Sequence, residues 1–187
     1  MLNHLSLRKK NVADGMTAGR CLASDEQGVV ALEMSLIALP LIALLLASII
    51  MSIVYFTQNV LDAVSDTLSR QILTGQAPPS GSAAQFKATA CSLLPSYMSC
   101  SNLLVNVQSV SSYSDVSTAV PTVTTDASGN VSATTSYDPG TSGSVVVLQL
   151  LYSLPVPRSI GGFTAASLEN GSRLIISTSV IKVEPSS

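Results

Sequence analysis

Few residues of this chain could do covalent chemistry, and they are poorly placed for it. The only histidine, His4, stands among the first residues, so the remainder of the chain has no imidazole to act as a general base. No Ser-His-Asp or Cys-His arrangement can be assembled downstream of it. No cluster has metal-ligand spacing, and no glycine loop has the pattern that cradles a phosphate. The carboxylates of the C-terminal part, Asp115, Asp126, Asp138, Glu169 and Glu184, are scattered. Neither a catalytic centre nor a metal or cofactor is expected. A net charge of −2 without any tryptophan or interleaved basic-aromatic patch gives no support to nucleic-acid binding.

Two other features carry chemical information. Glu33 is an acidic group at the entry of a long apolar segment, preceded by Gly28 at the point where polar sequence gives way to apolar. An ionisable side chain entering a membrane segment is costly and marks function, unless it merely reaches the headgroup layer. Cys91 and Cys100 form an even pair downstream of that segment, while Cys21 precedes it. The pair either bonds or stays as two buried thiols.

The element that must position Glu33 is a helix. From Met34 to Leu61 there is no charged residue, and residues 36–56 are almost all Leu, Ile, Ala, Val and Met. As a helix rising about 1.5 Å per residue, they cover roughly 31 Å, the thickness of a hydrocarbon core. Arg8, Lys9, Lys10 and Arg20 precede the run, and Asp62 and Asp66 follow it. The excess of basic residues on one side puts the N-terminus in the cytoplasm and the C-terminal part outside, where thiols can oxidise. Pro40 can kink the helix. A cleaved secretory signal fits less well, because the run is longer than an h-region and no small-residue site follows it. A lipoprotein fits less well still, since no cysteine follows the run closely.

Beyond the membrane, Leu61, Val64, Leu68 and Ile72 recur at three- and four-residue steps, so the helix should continue as an amphipathic one until Gly75, Pro78 and Pro79. A short helix is expected over 82–94, with Ser82 as N-cap and Phe86, Ala90 and Leu93 inward. Strands are expected over Leu103–Val110 with Leu103, Val105 and Val107 on one face, over 144–153, and over 173–183. The Ser/Thr-rich stretch 111–144 reads as either a flexible loop or an irregular hairpin. The expected fold is α+β: a long N-terminal transmembrane and amphipathic helix with a small antiparallel sheet. Its parts are a cytoplasmic leader at 1–28, the helix at 29–76 and an exported domain at 77–187.

Residues Gly28-Val-Val-Ala-Leu-Glu33 and the apolar run after them resemble a type IV prepilin signal. That resemblance implies cleavage between Gly28 and Val29 by a membrane prepilin peptidase. Glu33 would then be the fifth mature residue, pairing with the new α-amine of a neighbouring subunit. Glycine gives the backbone freedom to extend into a protease cleft. The signal departs from the usual pattern at Val29, where Phe is common. Over a longer span the chain resembles the TadE-like family of pseudopilin-related proteins of the Tad (tight adherence, Flp pilus) apparatus. The carrying segments are Gly28 to Ile42 with its Leu39-Pro40, then Arg70 with Thr74-Gly75-Gln76, Phe86-Lys87 with Cys91 and Cys100, and Val183-Glu184-Pro185. Met34 stands where an aromatic residue is common. The resemblance implies an exported disulfide between Cys91 and Cys100, which cleavage at Gly28 would leave as the only cysteines.

It also implies a structural role in cell adhesion, as a minor pilin or pseudopilin at the base of the fibre or within it. The implied partners are the peptidase, other pilin-like subunits and the assembly platform. The competing reading is a single-pass, membrane-anchored periplasmic binding module or enzyme, which would need a pocket with convergent polar groups.

Overall fold

The computed structural model describes the backbone of residues 26–116, 121–126, 131–157, 159 and 162–184, and side chains from Val29 onward within them. The leader's basic residues, His4, Cys21 and Pro185 lie outside the described residues. The order is α1 (Glu26–Leu73), α2 (Ala83–Ser92), β1 (Leu103–Val110), β2 (Val123–Thr125), β3 (Val131–Ala133), β4 (Val145–Pro155) and β5 (Ser172–Lys182). The chain divides into two units, Met1–Leu45 and Leu46–Ser187.

In the first unit the described residues are all helical. α1 begins at Glu26, two residues ahead of the expected leader boundary at Gly28. An acidic residue type at the first position suits the positive end of the helix dipole.

The second unit is α+β. Its sheet has the order β1-β4-β5, antiparallel throughout, with Leu103 opposite Tyr152 and Leu151 opposite Ile176. The apolar stripe of α1 packs on one sheet face. Leu61, Val64, Leu68 and Ile72 meet Val146, Leu148, Leu150 and Tyr152 of β4, with Leu103 and Val107 of β1, Ile175 of β5, and Phe86 and Ala90 of α2. Asp62, Asp66 and Arg70 take the exposed side. Polar groups fix the register of helix on sheet: Gln58 donates to the Ile176 carbonyl at 3.0 Å, and the Ser65 and Ser179 hydroxyls lie 3.1 Å apart.

α1 ends where its sequence demands it. The Gln76 amide bonds the Gln71 carbonyl and the Gly75 amide bonds that of Ile72, a Schellman closure. It needs a left-handed residue, and Gly75 supplies it at φ +69°.

β4 is buried along its first nine residues on both faces. Its Val-Val-Val-Leu-Gln-Leu-Leu-Tyr run is the continuous apolar pattern of a strand covered on both sides. On the face away from α1, the Asn106 amide donates to Gln149 at 3.0 Å, and the Asn106 carbonyl oxygen accepts from the Ser136 amide at 2.9 Å. Segment 136–138 thereby pairs with the outer edge of β1, bridging Val107 to Tyr137. Tyr137 then stacks on Phe86 at 5.1 Å and donates its hydroxyl to the Pro78 carbonyl at 2.6 Å. Burial pushes its phenol above the ordinary value.

Three expectations need correction or completion. The Ser82 side chain makes no capping bond; its carbonyl instead accepts from Gln85 and Phe86. Leu93 is exposed rather than inward, because α2 already stops at Ser92 and Leu93 falls past the buried face. The 111–144 stretch contains the small hairpin β2-β3, with Val123 opposite Ala133.

Candidate functional site: the apolar helix and its boundary

In the first unit the helix is apolar without a buried side. Val29, Leu36 and Leu39 expose 55%, 72% and 72% of their surface, and Leu32, Met34 and Ile37 are exposed with them. Leu36, Ile37, Met34 and Ile42, all exposed, are spread around the whole turn of a 3.6-residue helix, so no single partner face could cover them. In water, each large apolar side chain left uncovered forgoes roughly 1.5–3 kcal/mol. α1 contains a helix, Val29–Leu73, long and apolar enough to cross a membrane.

Glu33 sits on this segment with its side chain exposed. It lies one turn past Val29, and residues four apart share a helix face. Side chains on a helix tilt toward its N-terminus, so the Glu33 carboxylate leans toward Val29. The bond between Gly28 and Val29 lies in the first turns of α1. A protease that takes its substrate extended must therefore unwind that turn. Glycine weakens it by about 1 kcal/mol relative to alanine.

In the second unit the structure joins Cys91 to Cys100, nine residues apart, with Cα atoms 5.4 Å from one another. The bond closes the turn between α2 and β1. Met98 is buried within that turn, and the Ser99 amide donates to the Tyr152 hydroxyl at 3.1 Å. Tyr97 reaches outward to Phe56 of α1, ring centroids 6.1 Å apart.

Two of the scattered carboxylates brace loops. Asp138 accepts from the Ser109 hydroxyl and from the Gly140 amide, and Asp115 accepts from Ser111 at 3.0 Å. Among the described residues, no group of His, Cys, Asp and Glu could hold a metal ion.

One cavity of about 590 Å³ stands out because its lining is apolar: Ile49, Ile53, Phe56, Tyr97 and Leu154, with Ser52 and Thr57. Across α1 a smaller one of about 210 Å³ is lined by residues including Tyr55, Gln58 and Arg173. Sequence reading missed both, since their walls come from α1, the disulfide turn and the β4-β5 end. The one available signal was the set of aromatic residues Tyr55, Phe56 and Tyr97 next to apolar sequence.

The model of the family described as TadE-like protein matches residues 28–70. This is α1 from the expected cleavage glycine almost to its end, and that segment is TadE-like. Neither a curated protein nor a solved structure matches the chain.

Proposed function

We propose that this chain is a minor pilin or pseudopilin of a Tad (Flp) pilus system, made as a precursor with a cytoplasmic leader over residues 1–28. A prepilin peptidase cuts it after Gly28. The mature helix spans the inner membrane, and residues 77–187 form the periplasmic domain with its Cys91–Cys100 bond. Its partners are other pilin-like subunits and the assembly platform, and it performs no catalysis.

The observation that supports this best is the helix at residues 29–45, apolar on all sides, within the TadE-like segment. Such a helix needs a lipid or helical-bundle environment. In a bundle Glu33 is an uncompensated charge, which costs several kcal/mol unless paired. Cleavage at Gly28 makes an α-amine that supplies the opposite charge on a neighbouring subunit.

The test is the N-terminal sequence and intact mass of the membrane-bound protein in cells with and without the cognate peptidase. A mature start at Val29 that vanishes without the peptidase is expected. A start at Met1 in both would overturn the processing step. With processing established, Glu33→Ala should leave the domain folded and abolish incorporation into the pilus machine, read by co-purification with partner subunits.

A further inference from the structure

We infer that the apolar groove between α1 and the disulfide turn holds one acyl chain of a bilayer phospholipid, which seats the exported unit on the membrane surface. This rests on the reading that α1 crosses the bilayer.

The charge-free run extends to Leu61, yet α1 is already buried at Ile50 and Val54, each less than a tenth exposed, and Val54 shares a pocket wall with Arg173 and Ile176 of β5. The folded unit therefore reaches down the helix into the stretch whose sequence suits hydrocarbon. At that level its flanks stay apolar and uncovered: Ile49, Ile53 and Phe56 expose 56%, 51% and 59%. Leu154, at the end of β4, and Tyr97 wall the groove on the side facing them.

The hydroxyls on the α1 wall of the groove make no demand on an occupant. The Ser52 hydroxyl donates to the Ser48 carbonyl at 2.9 Å, and that of Thr57 to Ile53 at 2.8 Å. A peptide loop would bring backbone amides and carbonyls that need partners here, and burying them unpaired is costly. A hydrocarbon chain brings none. A second copy's helix also has satisfied bonds, and it is the alternative occupant that the cross-link below separates from lipid. Tyr55, Phe56 and Tyr97 gather at this same level, with Tyr55 and Tyr97 more than half exposed. Amphipathic aromatic rings collect where hydrocarbon meets headgroups.

The experiment uses the full chain in vesicles of phosphatidylethanolamine and phosphatidylglycerol, with Tyr97 replaced by the photo-cross-linker p-benzoylphenylalanine. Leu39 is replaced in a parallel sample. Both are illuminated and read by intact mass, with a thermal melt to establish folding. A phospholipid adduct at position 97, reduced at least fivefold when Ser52→Trp fills the groove, is expected. A lipid adduct at 39 with none at 97 overturns the groove and leaves the membrane span standing. A protein–protein adduct at 97 overturns it in favour of a second subunit. No lipid adduct at either position overturns the span itself and the groove with it.

Discussion

The two stretches of α1 use the same residue types to opposite ends. Leu36 and Leu39 leave 72% of their surface open, while Leu61 and Leu68 leave none. What differs is the company they keep. After Leu61, polar residues occupy the other side of the helix: Asp62, Asp66, Thr67 and Arg70. Water can wet that side while the sheet takes the apolar stripe. Before residue 46 there is no polar side of this kind, so the whole circumference has to be matched by an apolar surrounding. Hydrophobicity alone does not say where a leucine goes; the distribution of its polar neighbours does.

Substitutions can break or sharpen that contrast. Leu68→Ala should lower the unfolding free energy of the second unit by about 2–5 kcal/mol through lost burial and a cavity. Leu39→Ala, the same deletion in the other stretch, should shift it by less than about 0.5 kcal/mol. Equal losses in a denaturant titration in detergent micelles would erase the distinction. Conversely, Leu39→Asp should cost about 2.5–3.5 kcal/mol of membrane insertion, measured by a glycosylation-reporter assay, and leave the fold of the second unit unchanged. Converting Cys91 and Cys100 together to serine should lower unfolding stability by roughly 2–3 kcal/mol, since the closed loop is short. The helix at 29–45 should keep its circular dichroism in that variant.

The smallest effect is expected at Tyr137. Tyr137→Phe removes the hydrogen bond to Pro78, about 1 kcal/mol. It also changes the alkaline limb. Burial raises the folded phenol above its ordinary value, so the unfolded chain releases that proton first. Stability from this group is whole below about pH 10 and is lost as pH rises through the folded value. The phenylalanine variant should therefore fall less steeply above about pH 10 in an equilibrium unfolding series.

Much of this was legible in the sequence because it rests on local rules. The stripe Leu61, Val64, Leu68 and Ile72, the stop at Gly75 and the bounds of β1 follow from periodicity and turn chemistry. Gly28 and Glu33 drew notice on other grounds, a charge at the edge of an apolar run and a resemblance to a prepilin signal. Other features were not legible, because distant partners decide them. Asn106 meets Gln149 across the sheet, Tyr137 leaves the Ser/Thr-rich stretch to clamp Pro78, and the groove joins Ile53 to Tyr97 and Leu154. Leu93 was misplaced because the length of α2, rather than its pattern, decides which side chains turn inward.

The place of β4 in the sheet sets a timetable. It lies between β1 and β5, and every residue of β5 pairs with it, although β5 is the last strand in chain order. The sheet is therefore incomplete until β5 has been synthesised, and its long-range pairings form slowly compared with a helix. α1 is made long before, at a synthesis pace of roughly 5–20 residues per second. With α1 crossing the bilayer as proposed, it enters while the other half of the chain is still an unfolded thread, the form in which a chain can be passed across a membrane.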